Sequence, residues 1–144
     1  MKKIFFISSK ETIPNYFTYP LIINKNKLKN MGFEIQIIKS LKKIETLKID
    51  TLCIQSKPII NLLKEKDWIF QTSGPVISFL KFIKKKVNKI IWLDDSDSTS
   101  ITHFEVIPYV DLYLKKQIFK NKNLYKTDFY GGRIFSDYYN KKFD

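Results

Sequence analysis

Residues 89–113 read KIIWLDDSDSTSITHFEVIPYVDLY, and they carry both the clearest strand signal and the densest acidic cluster of the chain. The apolar run at 90–93 leads directly into three acids, Asp94, Asp95 and Asp97. Short continuous apolar runs are typical of parallel strands that are buried on both faces. The acids therefore follow a strand at its carboxyl end, where open α/β sheets bind their ligands.

Strand-like and helix-like segments alternate along the whole chain. Apolar or alternating runs predict strands at 4–7, 33–38, 50–55, 90–93 and 110–114. Three- and four-residue apolar spacing predicts helices at 15–31, 40–47, 58–66 and 76–87, and a short Lys-rich helix at 115–119. This alternation predicts an α/β fold in which residues 1–144 form a single Rossmann-like, doubly wound domain with a mainly parallel sheet of about five strands.

The composition favours one domain in a reducing compartment. The chain has 144 residues and one cysteine, Cys53, so it has no internal disulfide framework. The apolar run near the N-terminus is too short for a signal peptide, and no window approaches the roughly 20 apolar residues of a membrane span. We expect a cytoplasmic protein, with peripheral contact to the inner membrane left open.

The net charge of +12 does not indicate nucleic acid binding. Of the 26 basic residues only Arg133 is arginine, and the planar fork of arginine is what suits phosphate and guanine best. Two interpretations of the lysines stay open. They reflect the codon bias of an AT-rich genome, or they form a basic surface for an anionic membrane or a phosphorylated substrate.

Three interpretations of the acids Asp94, Asp95 and Asp97 remain open. In the first interpretation the acids cap a helix and pack the loop, and in the second they contact a polar ligand. In the third, the Asp-x-Asp spacing of Asp95 and Asp97 holds a divalent metal. Downstream, His103 and Glu105 are candidates for acid–base chemistry, with a hydrogen-bonded structural histidine as the alternative. Only four glycines occur and none follows the first strand, so a dinucleotide or P-loop cradle is not expected, and we expect no cofactor.

The aromatic C-terminal region around Gly131 and Gly132 is the last candidate. It predicts a turn with a packed aromatic cluster, with an anion-binding Arg133 as the alternative.

Three segments resemble a known family: WLDDSDS at 92–98, FEVIPYVDLYLKK at 104–116 and YGGRIFSDYY at 130–139. They look like the N-terminal half of bacterial surface-polysaccharide glycosyltransferases of the two-domain GT-B type. The resemblance implies an acceptor-side domain that is incomplete alone, a glycan or lipid-linked acceptor, and a nucleotide-sugar donor bound by a missing second domain or a partner chain. GT-B enzymes generally use no Asp-x-Asp metal, so the resemblance points away from a metal site.

Under this resemblance the acids line an interdomain cleft. We predict catalytic roles for Asp94, Asp95 and His103, and substrate-binding roles for Asp97, Ser98, Glu105 and Arg133. The alternative function is non-enzymatic: a basic α/β module that binds an anionic membrane surface or a protein partner. A response-regulator-like receiver is disfavoured because Ser8 and Ser9, not an acidic pair, follow the first strand.

Overall fold

Five parallel strands form the central sheet of the computed structural model, which describes residues 1–8, 18–63, 74–96, 99 and 101–143. The strands are β1 (Lys2–Ile7), β2 (Phe33–Ile38), β3 (Thr51–Gln55), β4 (Lys89–Asp94) and β5 (Leu112–Lys115). Their order across the sheet is β2-β1-β3-β4-β5, and every neighbouring pair is parallel. The predicted fold class, a Rossmann-like domain with a parallel sheet of about five strands, is confirmed.

Six α-helices are found among the described residues. They are α1 (Tyr19–Ile23), α2 (Lys25–Asn30), α3 (Lys42–Thr46), α4 (Ser56–Leu62), α5 (Gly74–Lys84) and α6 (Ile134–Phe143). Gly32 follows α2 with a φ of +87°, a conformation that glycine adopts without strain, and so turns the chain into β2. Pro75 lies in the first turn of α5, where its missing N–H costs nothing, and Lys81 and Lys84 lie in the last turn, where positive charge is favourable.

The two sheet faces carry two separate apolar clusters because successive strand side chains point to opposite sides. The larger cluster includes Leu52, Ile54, Ile90 and Trp92, and it packs against α3, α4, α5 and the 3₁₀ helix Phe104–Tyr109. The smaller cluster contains Phe6, Cys53 and Leu93 and packs against Leu21 of α1. The central strands are therefore buried on both faces, which explains why they are almost continuously apolar, whereas Leu112 and Leu114 of the edge strand β5 are exposed on the face of the smaller cluster.

The element boundaries differ from the prediction at several places. The predicted helix at 15–31 is two helices in its described part, and residues 15–17 and 64–66 of the predicted helices lie outside the described residues. The predicted helix at 115–119 is wrong, because Lys115 is the last residue of β5 and pairs with Asp94 of β4. Helix α6 was not predicted; its residues were assigned to a turn and a packed aromatic cluster, yet none of them is buried.

Candidate functional site

The carboxyl edge of the sheet brings together the ends of β1, β3 and β4. The helices that follow β1 pack on the face of the smaller cluster, whereas α4, which follows β3, contributes Ile59 to the larger cluster. The chain thus leaves two neighbouring strands towards opposite faces. This is the switch point of a doubly wound sheet, where a crevice opens beyond the strand ends.

Asp94, at the end of β4, is the centre of a buried polar network. Its side chain is 0% exposed, and one carboxylate oxygen accepts hydrogen bonds from Tyr113 Oη at 2.5 Å and from Lys115 Nζ at 3.0 Å. The other oxygen accepts from the backbone N–H of Ser96 at 3.0 Å. Lys115 also donates to the carbonyl of Ile101. Strand β5 and the loop after β4 are therefore joined through one carboxylate.

The surroundings of Asp94 keep it ionised. Burial opposes its negative charge, but hydrogen bonds from Ser96 and Tyr113 and the charge of Lys115 outweigh burial and lower the pKa of Asp94. The same contact has the opposite effect on its donor, because burial and the hydrogen bond to Asp94 raise the pKa of the Tyr113 phenol. Tyr113 is a neutral donor and Asp94 a charged acceptor at neutral pH.

His103 lies against this network and is almost fully buried, with 1% of its surface exposed. Its backbone N–H donates to Tyr113 Oη at 3.1 Å, and its Nε2 lies 3.4 Å from Ser96 Oγ. Its ring meets Trp92 edge to face at 6.1 Å. Burial lowers the pKa of His103, with the charges of Asp94 and Glu105 acting in the opposite direction. The ring is therefore neutral at pH 7.

Asp95 links β4 to the start of α4. Its Oδ1 accepts from Ser56 Oγ at 2.5 Å and from the backbone N–H of Lys57 at 3.0 Å, and its own N–H donates to Ser56 Oγ at 3.1 Å. A carboxylate here satisfies a free N–H of the first helical turn and complements the helix dipole. This contact matches the capping interpretation, although the helix being capped belongs to another strand–helix unit.

Gln55, the last residue of β3, differs from the other polar residues of this edge in its hydrogen bonding. It is 0% exposed, and neither Oε1 nor Nε2 has a hydrogen-bond partner among the residues that the structure describes. It shares a sheet face with Cys53, pairs with Leu93 of β4, and lies one position beyond the pair formed by Ile7 and Ile54. Ser8, the residue directly after β1, is therefore its neighbour. A buried amide without partners costs about 1–3 kcal/mol, which a polar ligand at the switch point would offset.

The other predicted site residues lie at different distances from this network. Glu105 lies in the 3₁₀ helix with its side chain 37% exposed, and its Oε1 is 3.9 Å from His103 Nδ1. Arg133 is exposed between the 3₁₀ turn Tyr130–Gly132 and α6, and its described contacts belong to that C-terminal unit. Asp97 and Ser98 lie outside the described residues.

Three residues of the edge were missed from the sequence: Tyr113, Lys115 and Gln55. The alternation of Tyr113 and Lys115 along β5 was a usable signal, because residues two apart on a strand share a face and both then meet Asp94 across the sheet. The prediction of a helix at 115–119 concealed it. Gln55 gave no local signal, since its burial depends on the neighbouring strands.

A groove of about 470 Å³ lies beside the edge strand β2, and it is lined by Leu21, Ile22, Lys25, Glu34, Ile35, Gln36 and Ile37. The described parts of the chain hold no group of three or more His, Cys, Asp or Glu side chains placed to bind a metal. Within the same described ranges no helix has the length and apolar character needed to cross a membrane.

The fold and the polar carboxyl edge define a Rossmann-like α/β domain. Comparison with protein-family models, curated proteins and solved structures finds no match to the chain.

Proposed function

We propose that this chain is the acceptor-side domain of a glycosyltransferase for cell-envelope polysaccharide, with the nucleotide-sugar donor held by a second domain or a partner chain. The observation that carries the proposal is the buried Gln55 amide, whose two polar atoms lack partners in the described part of the chain at the switch point of the sheet. A sugar offers hydroxyl groups that donate and accept, which is what an amide needs from a ligand. The resemblance of residues 92–139 to glycosyltransferases is the second support.

Within this proposal Asp94 and Asp95 act as positioning residues. Both carboxylates are buried and already accept hydrogen bonds from the chain itself, Asp94 from Tyr113 and Lys115 and Asp95 from Ser56. They fix the loop after β4 and the start of α4 around the crevice. Unlike the Gln55 amide, these carboxylates already have hydrogen-bond partners within the chain, so their contribution to catalysis acts through the geometry of the edge.

His103 and Glu105 together provide the acid–base catalysis in this proposal. Glycosyl transfer requires the acceptor hydroxyl to lose a proton to a nearby base. Glu105 is the exposed member of the pair, and neutral His103 lies between it and Ser96, at 3.9 Å from the carboxylate and 3.4 Å from the hydroxyl. Glu105 therefore contacts the acceptor hydroxyl as the base, and His103 orients the Glu105 carboxylate. Peripheral contact of the enzyme with the inner membrane would bring a lipid-linked acceptor to this edge.

Calorimetric titration tests the assignment with two kinds of probe. A panel of bacterial polysaccharide fragments should bind to the isolated chain, whereas UDP-glucose and GDP-mannose should not bind. Glu105→Gln should weaken oligosaccharide binding about tenfold or more, because a hydrogen bond to a charged group contributes about 1.5–3 kcal/mol. Glu45→Gln, a matched change on the exposed surface of α3, is the control. Tight nucleotide-sugar binding or transfer by the chain alone would overturn the proposed division of labour.

A further inference from the structure

Helix α6 presents its apolar side away from its own domain. Taken at 100° per residue, five apolar side chains cover about half of the helix circumference, and we call them the aromatic face. The aromatic face consists of Ile134, Phe135, Tyr138, Tyr139 and Phe143, each between 41% and 69% exposed. Phe135, Tyr139 and Phe143 form a continuous row, with ring centroids 4.6 and 5.6 Å apart.

The polar side of α6 is the side that packs on the 3₁₀ turn Tyr130–Gly132, which directly precedes the helix. Ser136, Asp137 and Asn140 are half-buried, and the Asp137 carboxylate accepts a hydrogen bond from the backbone N–H of Tyr130 at 3.2 Å. An amphipathic helix of a globular domain normally packs the opposite way, with its apolar stripe on the core. In α6 the apolar side is instead left uncovered by the described residues of the domain.

The charges around the aromatic face indicate what that surface is. Lys142 lies within it, with Nζ 5.4 Å from the Tyr138 ring centre and 5.3 Å from the Phe143 ring centre. Lys141 flanks it, and Asp137 is turned inward with its charge paired to Lys141 at 2.7 Å. The exposed part of the helix is thus aromatic and positive.

We propose that α6 binds the surface of an anionic membrane, with its aromatic face at the level of the lipid headgroups. Phe rings reach the acyl boundary there, Tyr hydroxyls stay hydrated, and Lys142 extends to lipid phosphates. A protein partner would have to bury Lys142 at the centre of the contact, and a second copy of this chain would also bring together two charges of +12. This contact assigns the peripheral membrane contact of the proposed function to a particular helix, but its test does not depend on the acceptor site.

Vesicle co-sedimentation of the full chain tests the proposal. The chain should bind vesicles of phosphatidylcholine mixed with phosphatidylglycerol, bind phosphatidylcholine alone far more weakly, and lose anionic binding in high salt through screening. The double variant Phe135→Ser with Phe143→Ser should reduce the affinity at least tenfold. Because α6 contributes no buried residue, the circular dichroism and melting of this variant should be unchanged.

Matched controls separate the helix from the general charge of the protein. Lys141→Gln with Lys142→Gln should weaken binding about fivefold for each charge, whereas Lys27→Gln with Lys29→Gln on α2 should have little effect. Phe82→Ser with Phe104→Ser removes two exposed rings elsewhere and should leave binding unchanged. Equal losses in the control and α6 variants would overturn the proposal. Failure of the wild type to bind anionic vesicles would also overturn it, and self-association abolished by the Phe135 and Phe143 changes would replace it with a protein interface.

Discussion

Replacing Asp94 by asparagine should show how much of the domain's free energy of unfolding depends on one carboxylate. Asparagine keeps the shape and one carbonyl oxygen that Tyr113 can reach, but it removes the charge that pairs with Lys115. The Lys115 side chain is 4% exposed, and among the described residues its remaining partner is the carbonyl of Ile101. An uncompensated buried charge of this kind costs about 3–5 kcal/mol. That is about a fifth or more of the roughly 5–15 kcal/mol that holds a typical domain folded.

The reciprocal change, at Lys115, should lower the free energy of unfolding by less. Lys115→Met leaves the Asp94 carboxylate with its donors from Ser96 and Tyr113, so we expect a loss of about 1–3 kcal/mol. The double variant removes both charges and should be more stable than Asp94→Asn alone. Urea unfolding of the four proteins, followed by circular dichroism, closes this double-mutant cycle. A loss below about 1 kcal/mol for Asp94→Asn, with no coupling to Lys115, would show that water rather than the chain satisfies the carboxylate.

The pH dependence of stability gives an independent check on the same group. The folded pKa of Asp94 is lowered from its ordinary value of 3.8, with burial opposing the shift and the hydrogen bonds of Ser96 and Tyr113 outweighing it. The folded state therefore binds the proton less tightly than the unfolded state. The stabilisation is fully present above pH 3.8 and is lost as the pH falls through the folded pKa. The difference in stability between wild type and Asp94→Asn should shrink in that acid range. It should be constant only above pH 6.5, because the Asp94 charge also raises the pKa of His103, whose ring titrates below that pH.

Three further predictions concern single residues. Gln55→Met keeps the volume and removes the unpartnered amide, so it should raise the free energy of unfolding by about 1–3 kcal/mol in urea titrations and abolish oligosaccharide binding; a destabilised variant would show that the amide is satisfied. Burial raises the pKa of the Cys53 thiol to about 12, so Ellman's reagent at pH 8 should label it only at the rate of global unfolding, and rapid labelling would contradict its burial. His103, the chain's one histidine, has a pKa lowered from 6.5 chiefly by burial, so its ring should titrate below pH 6.5 by NMR and its contribution to stability should be lost as the pH falls through that value; titration above 6.5 would contradict the neutral ring.

The local sequence was sufficient to predict the fold and the strand-end position of Asp94 and Asp95. Apolar runs such as Ile90–Leu93 are distinctive because a parallel strand is covered on both faces, and Asp94 then falls at the carboxyl end of β4. The Gly131–Gly132 turn was also predicted, and both glycines have positive φ.

What the sequence concealed depends on contacts between distant residues. Lys115 belongs to a Lys-rich run that is typical of a helix, and only its pairing beside Asp94 makes it a strand residue. The partners of Asp95 are Ser56 and Lys57, 39 and 38 positions away. Nothing in the local pattern around Asp95 shows which helix it caps.

Helix α6 was missed for a different reason. Its Tyr and Phe residues favour strands by propensity, and its apolar side turns away from any core that the chain could have supplied.

The most direct test of the carboxyl edge as the acceptor site is an NMR titration. A polysaccharide fragment that binds the chain is added to the ¹⁵N-labelled protein, and the changes in amide chemical shift are mapped. We predict the largest chemical-shift changes at the carboxyl ends of β1, β3 and β4, for the amides of Ser8, Gln55 and Ser96. The amide of Glu105 should shift as well. Amides at the opposite edge, such as Asn88, should not move. Shifts confined to the groove beside β2, around Glu34, would contradict the claim that the carboxyl edge is the acceptor site.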